Sequence, residues 1–160
     1  MSILIIQTGG TIDKKYPKSI NGWGFEIDNA AVDQILSNKA LSVDYQIVSA
    51  CKKDSTKLND NDRNKILNIC QKSNEEQIII THGTDTITDT AKFLSVIKDK
   101  TIVLTGSFLP YAFKDSDAEF NIGMAISAVQ LLNKGIYVSL NGIIASHNEL
   151  QRDASGKYHT

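Results

Sequence analysis

The amino-acid sequence predicts an α/β protein built on a mainly parallel sheet. Short runs of apolar, largely β-branched residues alternate along the chain with stretches in which apolar residues recur at helical spacing. Several of the short runs end in turns that are rich in glycine and hydroxyl side chains. Because strands alternating with helices at this spacing are joined by right-handed crossovers, we expect neighbouring strands to pair in parallel.

The first strand is predicted at about Ser2–Gln7, which contains four consecutive apolar residues. The polar segment 13–24 follows it, and a dozen irregular residues directly after a strand are typical of a functional lid or a disordered loop. Asp28 or Asn29 is then placed to cap a helix that ends near Ser37. The inner face of that helix would carry Ala31, Ile35 and Leu36.

The next strand is predicted at Val43–Val48, where apolar and polar residues alternate as in a half-buried strand. It leads to a loop at Cys51–Leu58. Asn59 or Asp60 is placed to cap a helix that ends near Lys72. Its buried stripe would consist of Ile66, Ile69 and Cys70.

The second half of the chain continues the alternation. The β-branched run Gln77–Ile80 is typical of a central parallel strand, and apolar residues from 87 to 97 predict a helix after it. Thr101–Leu104 predicts another strand, and an apolar helix is expected at about 121–132. Gly135–Leu140 is the last clear strand, so we expect an irregular tail to residue 160. These elements predict a three-layer sandwich of the flavodoxin-like or Rossmann-like type.

Composition and charge exclude several function classes. The chain has 160 residues, of which 41% are hydrophobic and 22% charged, as expected for one globular domain. A formal net charge of -1 argues against nucleic acid as a partner. No apolar run reaches the roughly 18 residues of a membrane span, and the N-terminus lacks a signal-peptide pattern. We therefore expect a cytoplasmic protein with no membrane partner.

The cysteines and histidines do not predict a metal site. Cys51 and Cys70 have neither metal-ligand nor CxxC spacing, which favours reduced thiols. His82, His147 and His159 are scattered along the chain. We expect no metal and no cofactor.

Four predicted strands end in hydroxyl-bearing turns, at Thr8–Thr11, Ser55–Thr56, Thr84–Asp85 and Gly106–Ser107. Ligands of open α/β sheets bind outside the carboxyl ends of the strands, so these turns would line one crevice. A small zwitterion fits such a crevice, with its carboxylate on hydroxyl and backbone donors and its ammonium on Asp85. Taken alone, the first turn is also typical of a plain glycine turn, and Asp85 of a helix N-cap.

Two of these turns carry a family resemblance. TGGTI (Thr8–Ile12) and HGTDT (His82–Thr86) resemble, in order and separation, motifs of the N-terminal domain of bacterial-type L-asparaginases. LTGSFLP at 104–110, followed by DSDAEFN at 115–121, is similar to that family's next block. The resemblance covers nearly all of the chain. It implies an amidohydrolase that converts L-asparagine, or a related small carboxamide, to the acid and ammonia through a threonine acyl-enzyme.

The resemblance also implies roles for individual residues. Thr11 would be the primary nucleophile and Thr84 the second catalytic threonine. Asp85 would hold the α-amino group of the substrate. The substrate-binding residues of the four turns would be Gly10, Ser55, Thr56, Gly83 and Ser107.

Two positions differ from the family pattern. The family places a tyrosine in the loop after TGGTI, where aligning GWGFEID puts Phe25. Tyr16 either replaces that tyrosine or packs its ring on the surface. The family lysine after the last strand falls on Arg152 in an ungapped reading, whereas a five-residue insertion would bring Lys157 there. Because arginine does not readily release a proton, Arg152 would impair a proton relay.

The C-terminal domain of full-length asparaginases has no counterpart in this sequence. We therefore expect residues 1–160 to form a single asparaginase N-terminal-like domain. Because apolar helix faces need cover, we expect a homo-oligomer, a dimer or tetramer. Two alternatives to the small-amide hydrolase stay open. One is a non-catalytic or weakly active amino-acid-binding or regulatory module, favoured by Phe25 and Arg152. The other is an amidase for a larger amide, which an open pocket would permit.

Overall fold

A computed structural model of the chain describes residues 2–17 and 24–160. The strands in chain order are β1 (Ser2–Gly9), β2 (Lys14–Lys15), β3 (Glu26–Ile27), β4 (Asp44–Lys53), β5 (Gln77–Thr81), β6 (Thr101–Thr105), β7 (Gly135–Leu140), β8 (Ile143–Ser146), β9 (Gln151–Arg152) and β10 (Tyr158–His159). The helices are α1 (Ala31–Ser37), α2 (Asp60–Lys72), α3 (Ile87–Phe93) and α4 (Ala118–Leu131). Short 3₁₀ turns lie at Thr11–Asp13, Ser55–Lys57 and Leu94–Val96.

One six-stranded sheet organises these elements, in the order β4-β1-β5-β6-β7-β8. Its strands pair in parallel except β8, which lies antiparallel to β7 at one edge. The chain leaves β1 toward β4 on one side and then returns to β5 on the other. The boundary between β1 and β5 is therefore the topological switch point, as in flavodoxin-like sheets. The predicted mainly parallel α/β fold is confirmed.

Helices cover both faces of the sheet and form a separate core on each. Side chains of α2 and α3 pack on one face, and side chains of α1 and α4 pack on the other. In β5, Ile78 and Ile80 point into the first core and Ile79 into the second, and all three are fully buried. Each such side chain contributes about 1.5–3 kcal/mol of burial free energy. This two-sided burial is why the strands are continuous apolar runs rather than alternating ones.

Helix α2 follows its sequence signal closely. The Asn59 side chain accepts a hydrogen bond from the Asp62 backbone at 3.1 Å, and the Asp62 carboxylate accepts one from the Asn59 backbone at 3.1 Å. This capping box confirms the predicted start and the end at Lys72. Lys53, at the end of β4, lies 2.7 Å from Asp62 and ties the strand to the helix.

Three predicted boundaries are wrong. Neither Asp28 nor Asn29 caps α1. The backbone N–H of Ala31 donates instead to the Asp13 carboxylate at 2.7 Å, so the cap comes from a distant turn. Strand β4 extends through Lys53, where it still pairs with β1, so the predicted loop at Cys51–Leu58 begins later. Helix α4 starts at Ala118, ahead of the predicted start at 121.

The predicted irregular tail is also wrong, because two hairpins follow β7. Asn141 and Gly142 have φ values of 46° and 95°, and Leu140 pairs with Ile143 across them, as in a two-residue type I′ turn. The second hairpin pairs β9 with β10 around a turn in which the Asp153 carboxylate accepts hydrogen bonds from Ser155 and Lys157. Among the described residues, no helix has the length and apolar character that crossing a membrane requires.

Candidate active site

The turns after β1, β4, β5 and β6 meet at the carboxyl edge of the sheet, beside the switch point. A β-carbon on Gly10 would lie 2.5 Å from the Cα of Gly83, and one on Gly83 would lie 2.6 Å from the Ser55 Oγ. A β-carbon on Gly106 would overlap the carbonyl of His82. The turns are therefore packed so closely at these three positions that only glycine fits without a shift of its neighbours. Gly10 also has a φ of 84°, a conformation that L side chains rarely adopt.

The turn that carries Thr11 is held on both sides. The Thr8 hydroxyl donates to the carbonyl of Thr81, at the end of β5, at 2.9 Å. The Ile12 carbonyl accepts a hydrogen bond from Tyr111, in the loop after β6, at 3.2 Å. Thr11 itself is partly exposed, whereas Ile12 is buried. The turn thus offers one accessible hydroxyl on an anchored backbone.

Asp13 is the last residue of the Thr11–Asp13 turn and is 1% exposed. Its carboxylate accepts hydrogen bonds from the Ala31 backbone at 2.7 Å and from the Gln7 side chain at 3.1 Å. Burial raises the pKa of Asp13 to about 6, although its hydrogen bonds and the charges of Lys52 and Lys15 oppose the rise. The sequence analysis did not identify this residue.

In the turn after β4, some of the polar groups are hydrogen-bonded to one another. The Asp54 carboxylate accepts hydrogen bonds from the Thr56 hydroxyl at 2.8 Å and from the Thr56 backbone at 3.1 Å. Lys14 donates to the same carboxylate at 2.8 Å, and this bond is the largest cause that lowers the pKa of Asp54 to about 2. Ser55 is buried against Gly83, and its carbonyl accepts a hydrogen bond from Thr86.

Asp85 is not a helix cap. The cap position of α3 is Thr86, whose hydroxyl donates to the Ser55 carbonyl at 2.9 Å and makes no capping bond to the helix. The Asp85 carboxylate instead accepts a hydrogen bond from the Arg152 guanidinium at 2.9 Å. This bond is the largest cause that raises the pKa of Arg152, which therefore stays charged. Lys157 forms no ion pair among residues 2–17 and 24–160, so Arg152 rather than Lys157 reaches Asp85.

Tyr158 joins the same cluster and was missed by the sequence analysis. Its hydroxyl donates to the backbone carbonyl of Thr84, and its ring centroid lies 5.4 Å from the Arg152 guanidinium. Arg152 also donates to the Gly156 carbonyl at 3.1 Å, within the same hairpin. The β9–β10 hairpin is therefore clamped onto the Thr84–Asp85 turn.

His82 supports that turn from inside the protein. Its Nδ1 lies 2.7 Å from the Gly83 carbonyl, and because a carbonyl can only accept, Nδ1 carries the proton. The neutral ring then accepts the Thr90 hydroxyl at Nε2, at 2.8 Å. Complete burial lowers the pKa of His82 to about 4, so the ring is neutral at pH 7. His82 thus fixes the backbone beside Thr84.

The turn after β6 holds its serine in a local bond. Ser107 is fully buried, and its hydroxyl donates to the Leu109 carbonyl at 2.5 Å. The Asp117 carboxylate accepts hydrogen bonds from the backbones of Phe108 and Leu109. Buried Asn121 extends the network, because its amide donates to the carbonyl of Gly106 at 2.9 Å. These bonds fix the loop as a rigid wall of the crevice.

Tyr16 and Phe25 lie in an aromatic cluster at the surface. Tyr16 is 76% exposed, and its ring centroid lies 5.3 Å from that of Phe25. Phe25 in turn lies 5.6 Å from Phe113, in the loop after β6. Strands β2 and β3 pair on either side of this segment. Residues 18–23 lie outside the described part of the chain, so the predicted lid at 13–24 is described only at its two ends.

The described residues offer no metal centre. Across 2–17 and 24–160, no group of three or more His, Cys, Asp or Glu side chains is arranged to hold an ion. Cys51 and Cys70 are free thiols, and burial raises the pKa of Cys51 to about 11 and that of Cys70 to about 12. Neither thiol is therefore activated as a nucleophile.

The crevice lies in a chain whose sequence and fold match characterised proteins. A family model described as asparaginase, N-terminal, matches residues 2–160. The glutaminase-asparaginase of Acinetobacter glutaminasificans is 27% identical over 163 residues, a match that covers 94% of this chain and 49% of that protein. L-asparaginase 2 of Escherichia coli (strain K12) is 30% identical over 166 residues, covering 94% of this chain and 46% of that protein.

Solved structures agree with the family match. The thermostable L-asparaginase from Thermococcus kodakarensis superposes with a TM-score of 0.82 at 28% identity, over 95% of this chain and 48% of that chain. The probable cytoplasmic L-asparaginase from Campylobacter jejuni superposes with a TM-score of 0.76 at 30% identity, over 97% and 50%. The chain thus spans about half the length of the relatives it matches. It belongs to the asparaginase family and corresponds to that family's N-terminal domain.

Proposed function

We propose that this chain is an amidohydrolase that cleaves the side-chain amide of L-asparagine, or of a related small carboxamide, through an acyl-enzyme on Thr11. The observation that carries the proposal is the backbone contact between Gly10 and Gly83 across the switch point. These glycines precede Thr11 and Thr84 directly, so the contact brings the two threonine-bearing turns together. Family membership and the names of the relatives give independent support.

The proposed reaction has two steps. The Thr11 oxygen attacks the amide carbon, the C–N bond breaks, and the hydroxyl proton leaves with the nitrogen as ammonia. Water then attacks the ester carbon, which releases the acid and restores the Thr11 hydroxyl. The Gly10 N–H already donates to the Lys53 carbonyl at 2.9 Å. The Gly83 N–H is therefore the proposed donor to the oxyanion, and a donor of this kind supplies about 3–4 kcal/mol of transition-state stabilisation.

The remaining turn residues would bind the rest of the substrate. Ser55 and Thr56 would contact the α-carboxylate, although the Thr56 hydroxyl must leave Asp54 to do so. Asp85 would hold the α-ammonium through the oxygen that Arg152 leaves free. Ser107 would act through its rigid loop, because its hydroxyl is bonded to Leu109.

Proton transfer from Thr11 needs a carrier that Arg152 cannot provide. A guanidinium stays protonated at every relevant pH. Tyr16 and Phe25 lie in the surface cluster, and neither makes a polar contact with Thr11 among the described residues. We infer that Thr84, the hydroxyl of the neighbouring turn, passes the proton to the departing nitrogen through water.

A binding or regulatory module is the second candidate. The observation that favours it is the ion pair between Arg152 and Asp85, which occupies the proposed ammonium anchor. Such a module would bind aspartate or asparagine in the same crevice without releasing ammonia.

Exposed apolar side chains on α4 support a homo-oligomer. Phe120 is 59% exposed and Leu131 is 84% exposed. A second copy that covered both ends of this helix would remove apolar surface from water. We infer a dimer or tetramer, which sedimentation of the purified chain would test.

The test of catalysis is ammonia release from L-asparagine by the purified protein and by Thr11→Ala. We expect the variant to lose at least about a hundredfold in kcat, since the nucleophile is removed. Thr101→Ala, at the start of β6 and therefore at the opposite edge of the sheet from the turns, is the matched control and should keep full activity. Equal rates for Thr11→Ala and the parent protein would exclude Thr11 as nucleophile. Calorimetric binding of L-aspartate without any ammonia release would favour the binding module.

A further inference from the structure

A second cavity adjoins the Thr84–Asp85 turn. It has a volume of about 530 Å³ and lies between the loop after β6, the end of β7 and the β9–β10 hairpin. Tyr158 connects it to the crevice, because the Tyr158 ring lines the cavity while its hydroxyl donates to the Thr84 carbonyl. The cavity and the Thr84–Asp85 turn are therefore joined through Tyr158, so a ligand of the crevice has a neighbouring space to extend into.

The cavity has apolar walls and donor groups with unused capacity. Phe108, Leu140 and the Tyr158 ring supply its apolar surface. Lys157 lines it and makes no ion pair among the described residues, while its backbone N–H is fixed on Asp153 at 3.0 Å. Asn141 is held through its carbonyl oxygen by Asn121, and its own N–H₂ group has no acceptor within the part of the chain that the structure describes, so it can donate to a ligand. An anion on a short apolar stem matches this combination.

Asp85 indicates which chemical group would connect the part of a ligand in the crevice to the part in the cavity. Its charge is already balanced by Arg152 at 2.9 Å. A free α-ammonium must therefore share this carboxylate with a guanidinium and takes only its second oxygen, whereas an acylated α-nitrogen is neutral and needs no carboxylate partner. The acyl chain on that nitrogen would leave the crevice on the side of the hairpin.

We propose that the preferred ligands of this site are N-acylated asparagines whose acyl chain ends in a carboxylate, with that carboxylate in the cavity beside Lys157. This inference deepens the proposed function and rests on it, since the same Thr11 chemistry would act on the side-chain amide. Hydrolysis would consume one water and release one ammonia, and the acyl group would stay on the product. An asparagine at the C-terminal end of a short peptide also has an acylated α-nitrogen. The choice of probes below distinguishes such a peptide from the proposed ligand.

The experiment measures binding of three product-like probes by calorimetry, so that it does not depend on turnover. The probes are L-aspartate, N-butanoyl-L-aspartate and N-succinyl-L-aspartate, which differ only in the acyl chain and its terminal carboxylate. We expect the butanoyl probe to bind about threefold more tightly than aspartate, and the succinyl probe about tenfold more tightly than the butanoyl probe. Glycyl-L-aspartate, which has a terminal ammonium instead, should bind more weakly than the butanoyl probe.

Variants then assign the effect to the cavity. Lys157→Met should remove the difference between the succinyl and butanoyl probes without changing the affinity for aspartate. Phe108→Ala should weaken both acylated probes. Lys98→Met is the matched control, because Lys98 is an exposed lysine in the connection that precedes β6, at the opposite edge of the sheet. It should change none of the affinities.

The outcomes separate this inference from the proposed function. Tight binding of the succinyl probe without ammonia release from any asparagine derivative would refute the proposed catalysis and still support the proposed ligand. Ammonia release from L-asparagine that depends on Thr11, with aspartate binding at least as tightly as either acylated probe, would overturn the ligand assignment alone. An unchanged succinyl preference in Lys157→Met would also overturn it.

Discussion

Replacing Asp13 by asparagine is expected to change how the stability of the protein depends on pH. The folded protein raises the pKa of Asp13 from 3.8 to about 6, chiefly because the carboxyl is buried. Asp13 therefore binds its proton more tightly in the folded state than in the unfolded state. Its stabilising contribution is complete below about pH 4 and is lost as the pH rises through about 6.

The size of the effect follows from the two pKa values. A pKa difference between 3.8 and about 6 corresponds to about 3 kcal/mol, at 1.36 kcal/mol for each pKa unit. Asparagine keeps the shape of the side chain and an oxygen for the Ala31 N–H, but it does not titrate. It also turns an N–H₂ group toward the Gln7 amide, which already donates to the Asp28 carbonyl at 2.8 Å. We therefore expect Asp13→Asn to be most destabilised, relative to the parent protein, at pH 4. The difference in the free energy of unfolding should shrink by about 2 kcal/mol between pH 4 and pH 7, because part of the full effect is already lost at pH 4.

The assay is urea denaturation of both proteins between pH 4 and pH 8, with the free energy of unfolding extrapolated to water at each pH. Asp33→Asn is the matched control, because Asp33 is an exposed carboxylate on α1, the helix that Asp13 caps. Its difference from the parent should vary much less over this range. The reasoning would be refuted by a difference between Asp13→Asn and the parent that stays constant from pH 4 to pH 7.

Two further substitutions test the packing of the crevice by the same denaturation assay. Gly10→Ala should cost about 1–2 kcal/mol for the left-handed conformation and a further 1–3 kcal/mol or so for overlap with Gly83, whereas Gly123→Ala, with no atom within 4 Å, should be neutral or stabilising. Asn121→Ala should cost roughly 1–3 kcal/mol, because it leaves the buried Gly106 carbonyl without the amide that now donates to it at 2.9 Å. It also removes the oxygen that accepts the Asn141 N–H at 2.8 Å. A loss below about 1 kcal/mol in either variant would mean that the turns relax more easily than their contacts indicate.

Much of the fold can be predicted from the sequence because the local and tertiary signals agree. Each central strand is a β-branched run buried on both faces, and Asn59 with Asp62 forms a complete capping box. The errors occur where a distant group replaces a local one. Asp13 caps α1 from another turn, and no spacing rule connects these two segments. The hairpin after β7 is different, because Asn141-Gly142 is a strong type I′ signal that the sequence analysis read as the start of a tail.

The candidate site also combines features that the local sequence predicts with features that depend on distant residues. Its turns can be predicted, because each follows a strand and carries hydroxyls or glycine. The contacts that hold those turns cannot, because they come from elsewhere in the chain. Tyr158 bonds to Thr84 and Arg152 to Asp85, across 74 and 67 positions of the sequence. A hairpin of two-residue strands has too little periodicity to be identified before its partners are known.

The strength of the Arg152–Asp85 pair decides how far it can control the choice of ligand. Both side chains are substantially exposed, at 33% and 56%, and exposed ion pairs contribute about 0.2–1 kcal/mol. A free ammonium that displaced Arg152 would therefore lose less than about tenfold in affinity. Selection against L-asparagine by this pair alone is weak, so a larger preference for acylated ligands must come from contacts within the hairpin cavity. For this reason Lys157 and Phe108, rather than Arg152, are the positions at which exchange of a single side chain should alter specificity most.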